Sequence, residues 1–215
     1  VDQVKNDIKA EKGRPKNKTR FGPQTIIGNL ICPSKPKARE IILNNYKTLF
    51  ADLKKTGIKI DLVSFGFYDN GGCFCDACHP WVETSLLLDK EITDILHYYY
   101  PDCGVDLCGW LLTEEEIEII KKWYFEGKLD WVESLQIALS GGSRDVRPMK
   151  QIEGLKRGLF VNLGYSENSD DVYGFCGAVV APERLKQIVE DAGEGSCFRI
   201  LGYGEGIHDD INKVL

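Results

Sequence analysis

The chain has 215 residues, 43% of them hydrophobic and 28% charged, with a formal net charge of -6 at pH 7. That is enough apolar material for one sizeable core, and the acidic balance argues against a phosphate-binding surface and so against nucleic acid as a partner. No apolar run approaches the ~18 residues of a membrane-spanning helix, and no signal-peptide pattern is visible.

Residues 1–20 hold seven Lys/Arg against three Asp/Glu. This predicts a basic, solvated and partly disordered arm, followed by a single domain over residues 21–215. Residues 25–32 (TIIGNLIC) read as a strand. Ser34 then offers an N-cap, and Ile41, Ile42, Tyr46, Leu49, Phe50 and Leu53 recur at helical spacing up to Gly57, a C′ glycine. The next strand is predicted at residues 60–68 and the next helix at 80–100, with Leu88, Ile92, Ile95, Leu96 and Tyr99 on one face. A strand over 105–112 leads to Thr113 and Glu116, a capping-box pair for a helix through Tyr124. Residues 129–135 and 158–164 read as strands, and 173–180 is a further apolar run. Pro182 opens a helix that ends before Gly193, and 198–203 is the last strand.

Continuous apolar strands alternating with amphipathic helices predict a parallel sheet covered on its faces. The expected fold is α/β, a (β/α)8 TIM-type barrel. It is expected to be incomplete, with six or seven strands in this sequence, because a full barrel typically takes ~250 residues. A doubly wound open sheet is the rival, but no Gly-rich phosphate loop follows any strand, and Gly202, Gly204 and Gly206 have the wrong spacing for a dinucleotide fingerprint. Polar residues cluster just after the predicted strands, at Asp69, Asn70, Thr113, Glu114, Ser166, Glu167 and Glu205. In a barrel those positions share one rim.

Two segments carry the candidate chemistry. The first runs from Tyr68 to Trp81 and places Cys73, Cys75 and Cys78 beside His79. A C-x-C-x2-C spacing suits three thiolates around one zinc ion, with His79 or Cys103 as the fourth ligand. A disulfide, with Cys103 or Cys108 as partner, is an alternative, and plain buried thiols are the third reading. Asp69 follows an apolar strand and precedes Gly71 and Gly72, so its carboxylate either caps an Asx-turn or faces a substrate together with Asn70.

The second segment runs from Gly202 to Lys213. Glu205 is flanked by glycines that leave room for a ligand, with Tyr203, His208 and Asp209 close by. Asp209 and Asp210 also fit the start of a helix, where negative charge is favourable. Among the aromatics, Trp110 falls at a strand end and offers a stacking wall for a sugar ring, although a tryptophan there more often packs in a core. His97 reads as a packing or surface histidine. No nucleophile elbow or H-E-x-x-H motif is present.

The segment from Phe67 to Trp81 is similar to the Y-D-x-G-G-C-x-C-x-x-C-x-P-W motif of a poorly characterised family of TIM-barrel proteins resembling glycoside hydrolases. The tail from Tyr203 to Lys213 resembles that family's Y-S-E-G-I-[YF]-[ED]-D-[IV]-N-K motif. The resemblance implies a barrel that binds and hydrolyses a glycan. It also implies that the chain continues past Leu215 into remaining barrel segments or further domains. Between the two motifs the match is loose: after the strand predicted at 129–135, residues 136–143 supply no acidic or histidine site.

The functional expectation is therefore a glycoside hydrolase with Glu205 and Asp69 as its carboxylate pair. Asn70, Trp110, Tyr203, His208 and Asp209 are expected to bind the carbohydrate. No cofactor is required, and a structural zinc is one reading of the cysteine loop. The alternative is a non-catalytic carbohydrate-binding or metal-stapled barrel domain.

Overall fold

The computed structural model describes residues 7–11, 30–66, 72–109, 112, 114–139, 152–162 and 197–203, with single helical positions at 183, 186 and 190. The chain divides into two compact units, Val1–Asp106 with Trp110–Val132, and Leu107–Gly109 with Glu133–Leu215. The architecture is α/β with a parallel sheet. Five strands, β1 (Leu62–Gly66), β2 (Gly104–Cys108), β3 (Ser134–Leu139), β4 (Lys156–Asn162) and β5 (Cys197–Tyr203), lie side by side in sequence order.

In the first unit, helix α1 (Pro36–Lys55) is capped by Lys35 with proline at the first turn. Proline's fixed φ and missing N–H suit that position. Ser34, the cap expected from sequence, is one residue too early, and its hydroxyl bonds elsewhere. At the other end Gly57 adopts φ +77°, the left-handed C′ conformation expected from its sequence position. Helix α2 (Trp81–Tyr99) buries Val82, Ser85, Leu86, Ile92, Thr93 and Leu96. That stripe recurs every three or four residues, the condition for one helical face to meet a core. Arg39 of α1 pairs with Glu91 of α2, and Lys54 of α1 lies over the Tyr100 ring. Strands β1 and β2 enter together: the Gly104 N–H donates to the Asp61 carbonyl at 3.0 Å.

Helix α3 (Glu114–Phe125) buries Glu116, Ile117 and Ile120. It closes on a Schellman pattern, with the Lys128 N–H donating to Trp123 O (2.9 Å) and the Gly127 N–H to Tyr124 O (3.0 Å). Gly127, at φ +72°, makes that reversal possible. Two of the tryptophans serve this turn: Lys128 lies over Trp123, and Trp131 Nε1 donates to the Lys128 carbonyl.

In the second unit β3, β4 and β5 pair in parallel, Gln136 opposite Gly158 and Gly158 opposite Arg199. A Cβ on Gly158 would lie 3.0 Å from Gln136 Cγ, so a side chain there would require Gln136 to give way by a few tenths of an ångström. Glu133, just before β3, bonds Lys156 of β4 (3.4 Å) and Arg199 of β5 (2.9 Å) and so ties three strand entries together.

Several predicted elements are corrected. The strand expected over 25–32 is, in its described part, only an isolated antiparallel bridge between Ile31 and Lys9. The strand predicted at 129–135 starts at Ser134 instead. Leu129 and Val132 are apolar and buried, but they belong to the turn that follows α3. The strand therefore includes Gln136 and ends at Leu139. The strand predicted at 105–112 closes at Cys108. The run at 173–180 lies outside the described residues, whereas Glu183, Lys186 and Glu190 are helical where a helix was expected. Among the described residues no helix is long and apolar enough to cross a membrane.

Candidate metal centre

Four cysteines of the first unit converge. The sulfurs of Cys32, Cys73, Cys75 and Cys78 all lie within 4.8 Å of one another. Local structure explains how three of them gather. Residues Asp76–Cys78 form a 3-10 turn, with the Cys78 N–H on the Cys75 carbonyl at 2.9 Å. Positions i and i+3 eclipse in such a turn, so Cys75 and Cys78 present their thiols on one side. Cys75 itself is extended, with φ -70° and ψ 157°, and Cys73 Sγ lies 3.6 Å from its sulfur. The fourth sulfur arrives from far along the chain, on the turn in which the Lys35 N–H meets the Cys32 carbonyl just before α1.

The packing around the group is tight. Cys32, Cys73 and Cys78 are buried, and Ala10, Cys75 and Trp81 pack against them. Gly72 has φ +104°, and a Cβ there would lie 2.0 Å from the Trp81 indole. Only glycine satisfies both the backbone conformation and the space. The peptide between His79 and Pro80 is cis.

Distances identify what the group can hold. Cys32 Sγ is 3.5 Å from Cys78 Sγ and 3.8 Å from Cys75 Sγ, and Cys73 Sγ is 3.6 Å from Cys75 Sγ. A disulfide requires about 2.05 Å, and Cys32, Cys73, Cys75 and Cys78 are all thiols without such a bond. Four thiolates at a Zn–S distance of about 2.3 Å form a tetrahedron with edges of about 3.8 Å, which matches the separations here. An iron–sulfur cube spreads its thiolates wider, because each binds a different iron.

Two polar groups touch the sulfurs. The Glu11 N–H donates to Cys73 Sγ at 3.4 Å, and Ser34 Oγ lies 3.0 Å from both Cys78 Sγ and the Ala77 carbonyl. Burial pushes the Cys78 thiol well above its ordinary pKa, while the Ser34 hydrogen bond pulls it down. Burial thus holds a proton on the Cys78 thiol, which a metal must displace to bind there.

The structure corrects part of the ligand set expected from sequence. Cys73, Cys75 and Cys78 do come together, but His79 is exposed and outside the group. Cys103 is also elsewhere, its thiol directed at the Gly104 carbonyl, and the carbonyl of Cys103 accepts from His97 Nε2 at 2.9 Å. Cys32 fills the fourth place. Sequence reasoning missed it because it stands alone, 41 residues before Cys73. The available signal was its position at the end of an apolar run, matching that of the cysteine loop after β1. A buried carboxylate was missed as well: Asp106 lies fully buried in β2 and accepts from Ser64 Oγ at 3.1 Å. Asp69, Asn70, Trp110, Glu205, His208 and Asp209 lie outside the described residues. Tyr203 closes β5, and its side chain is likewise outside them.

No family model and no curated protein matches the chain. Among solved structures it is similar to a variant of NCR from Zymomonas mobilis (15% identity, TM-score 0.45, covering 78% of this chain and 51% of that one). It is also similar to morphinone reductase in complex with tetrahydroNAD (15% identity, TM-score 0.44, 90% and 54% covered). The chain thus spans about half the length of these structures. Neither is named as a glycoside hydrolase, and the second is a reductase. This overturns the glycoside-hydrolase expectation, and with it the reading of the chain as a glycosidase or glycan-binding barrel. At this level of similarity the reductase activity does not carry over either.

Proposed function

We propose that the chain is a metal-binding α/β domain in which Cys32, Cys73, Cys75 and Cys78 hold one zinc ion as a closed, structural centre. The observation that carries this is the mutual approach of four sulfurs from two distant segments, at spacings that fit a single tetrahedral ion. Four thiolates leave no open position for water or substrate, the arrangement of structural rather than catalytic zinc. The donor set is soft, which favours zinc over magnesium or calcium. What the ion supplies is cross-linking: it joins the turn before α1 to the loop before α2.

The sheet order supports a second, architectural part of the reading, that the strands belong to a (β/α)8 barrel of which this sequence holds a part. Strands laid down one after another without reversal continue round a barrel, whereas a doubly wound sheet reverses its order at a switch point.

Metal content tests the functional claim. The purified full chain should contain close to one zinc per molecule, and Cys32→Ser should remove it. A wild-type chain that retains no metal after zinc loading and desalting would rule the reading out.

A further inference from the structure

Residues 7–11 lie within the basic segment, yet they are stitched to both cysteine-bearing parts of the chain. Toward the Cys32 side, the Cys32 N–H donates to Ile8 O at 2.8 Å and the Ala10 N–H to Leu30 O at 2.9 Å, while Lys9 bridges Ile31. Lys35 Nζ adds a bond to the Lys9 carbonyl at 3.0 Å. Toward the cysteine loop, the Phe74 N–H donates to Glu11 O at 3.3 Å, and the Glu11 N–H points at Cys73 Sγ at 3.4 Å. Ala10 packs directly on the sulfur group.

We propose that residues 7–11 form the outer shell of the metal centre and act as a strap whose attachment depends on the metal. The inference rests on the four-cysteine reading and extends it to a segment with no ligand of its own. A cysteine sulfur bound to a cation is held in one place and carries thiolate charge, so it accepts an N–H strongly. Loading the centre therefore tightens the bond from Glu11 to Cys73. Because coupling between two binding events is reciprocal, the strap tightens the metal by the same factor. Outer partners of ligand atoms typically contribute about 10–100-fold in metal affinity.

The test separates the backbone donor from the side chain. Glu11→Pro removes the N–H that reaches Cys73, and Glu11→Ala keeps it. Zinc competition against a chromophoric chelator should show Glu11→Pro about 10-fold weaker or more, with Glu11→Ala close to wild type. Amide exchange on the full wild-type chain gives a readout free of substitution: the peptide containing Ala10 and Glu11 should be protected with zinc and exchange faster after chelation. Equal zinc affinity in the two variants, together with exchange indifferent to zinc, overturns the strap and leaves the metal centre standing. A chain that takes up no zinc overturns both.

Discussion

Cys32 Sγ lies 3.5 Å from Cys78 Sγ although 46 residues separate them. Helix α1 and strand β1 occupy the interval, so the contact closes a loop that contains both elements. A cation held there closes a long loop, and such closures restrict the unfolded chain most. Metal binding and folding of the first unit are therefore linked.

Ligand identity gives the first prediction. Cys32→Ser should lower zinc content and thermal stability together. His79→Gln should leave both unchanged, because His79 is exposed and outside the sulfur group. Metal per chain and melting temperature, measured on both variants, decide it. Loss of zinc in the histidine variant would restore His79 as a ligand.

Gly72 gives the second. A methyl group at that position meets the Trp81 indole at 2.0 Å and the backbone sits at φ +104°. Overpacking typically costs about 1–3 kcal/mol, and the positive φ adds to it. Gly72→Ala should lower the denaturation midpoint accordingly and weaken zinc binding, since Trp81 packs on the sulfurs. Gly57 has open space around it and needs glycine only for its φ, so Gly57→Ala should cost less. Similar midpoints for the two variants would count against the packing argument.

Asp89 gives a pH dependence. Burial pushes its carboxyl up to about 7. The folded state therefore binds a proton that the unfolded state releases near pH 4. The stabilisation from that proton is complete below the unfolded value and is lost as pH rises through about 7. Asp89→Asn stays neutral throughout, so it should be more stable than wild type at pH 8, by up to about 4 kcal/mol, with the difference fading toward pH 4. Urea denaturation at the two pH values measures this. A difference independent of pH would mean that Asp89 titrates normally.

Glu133 gives the fourth prediction. It joins Lys156 and Arg199 across the strand entries of the second unit. Glu133→Gln should cost about 1 kcal/mol, the scale of partly exposed ion pairs, and less at high salt. Denaturation at low and high salt checks both the size and the screening.

How much of this was legible in the sequence depended on whether the signal was local. The helices at 80–100 and 113–124 were read closely, because a 3.6-residue apolar period lies within the segments themselves. Strand limits were read less well. Leu129 and Val132 are as apolar as strand residues, but the turn built on Gly127 claims them. The C-x-C-x2-C loop announced three gathered thiols through its spacing. The fourth was hidden, since five cysteines lay outside the loop and only tertiary packing selects Cys32. Ser34 shows the same limit: its position before a helix suggested a cap, whereas its hydroxyl serves Cys78 and Ala77.

X-ray absorption at the zinc edge on the metal-loaded full chain tests the central claim most directly. The account predicts one zinc per chain, surrounded by four sulfurs at about 2.3 Å, with no nitrogen or oxygen in the first shell. A shell of three sulfurs and one nitrogen, or a chain that binds no zinc, would contradict it.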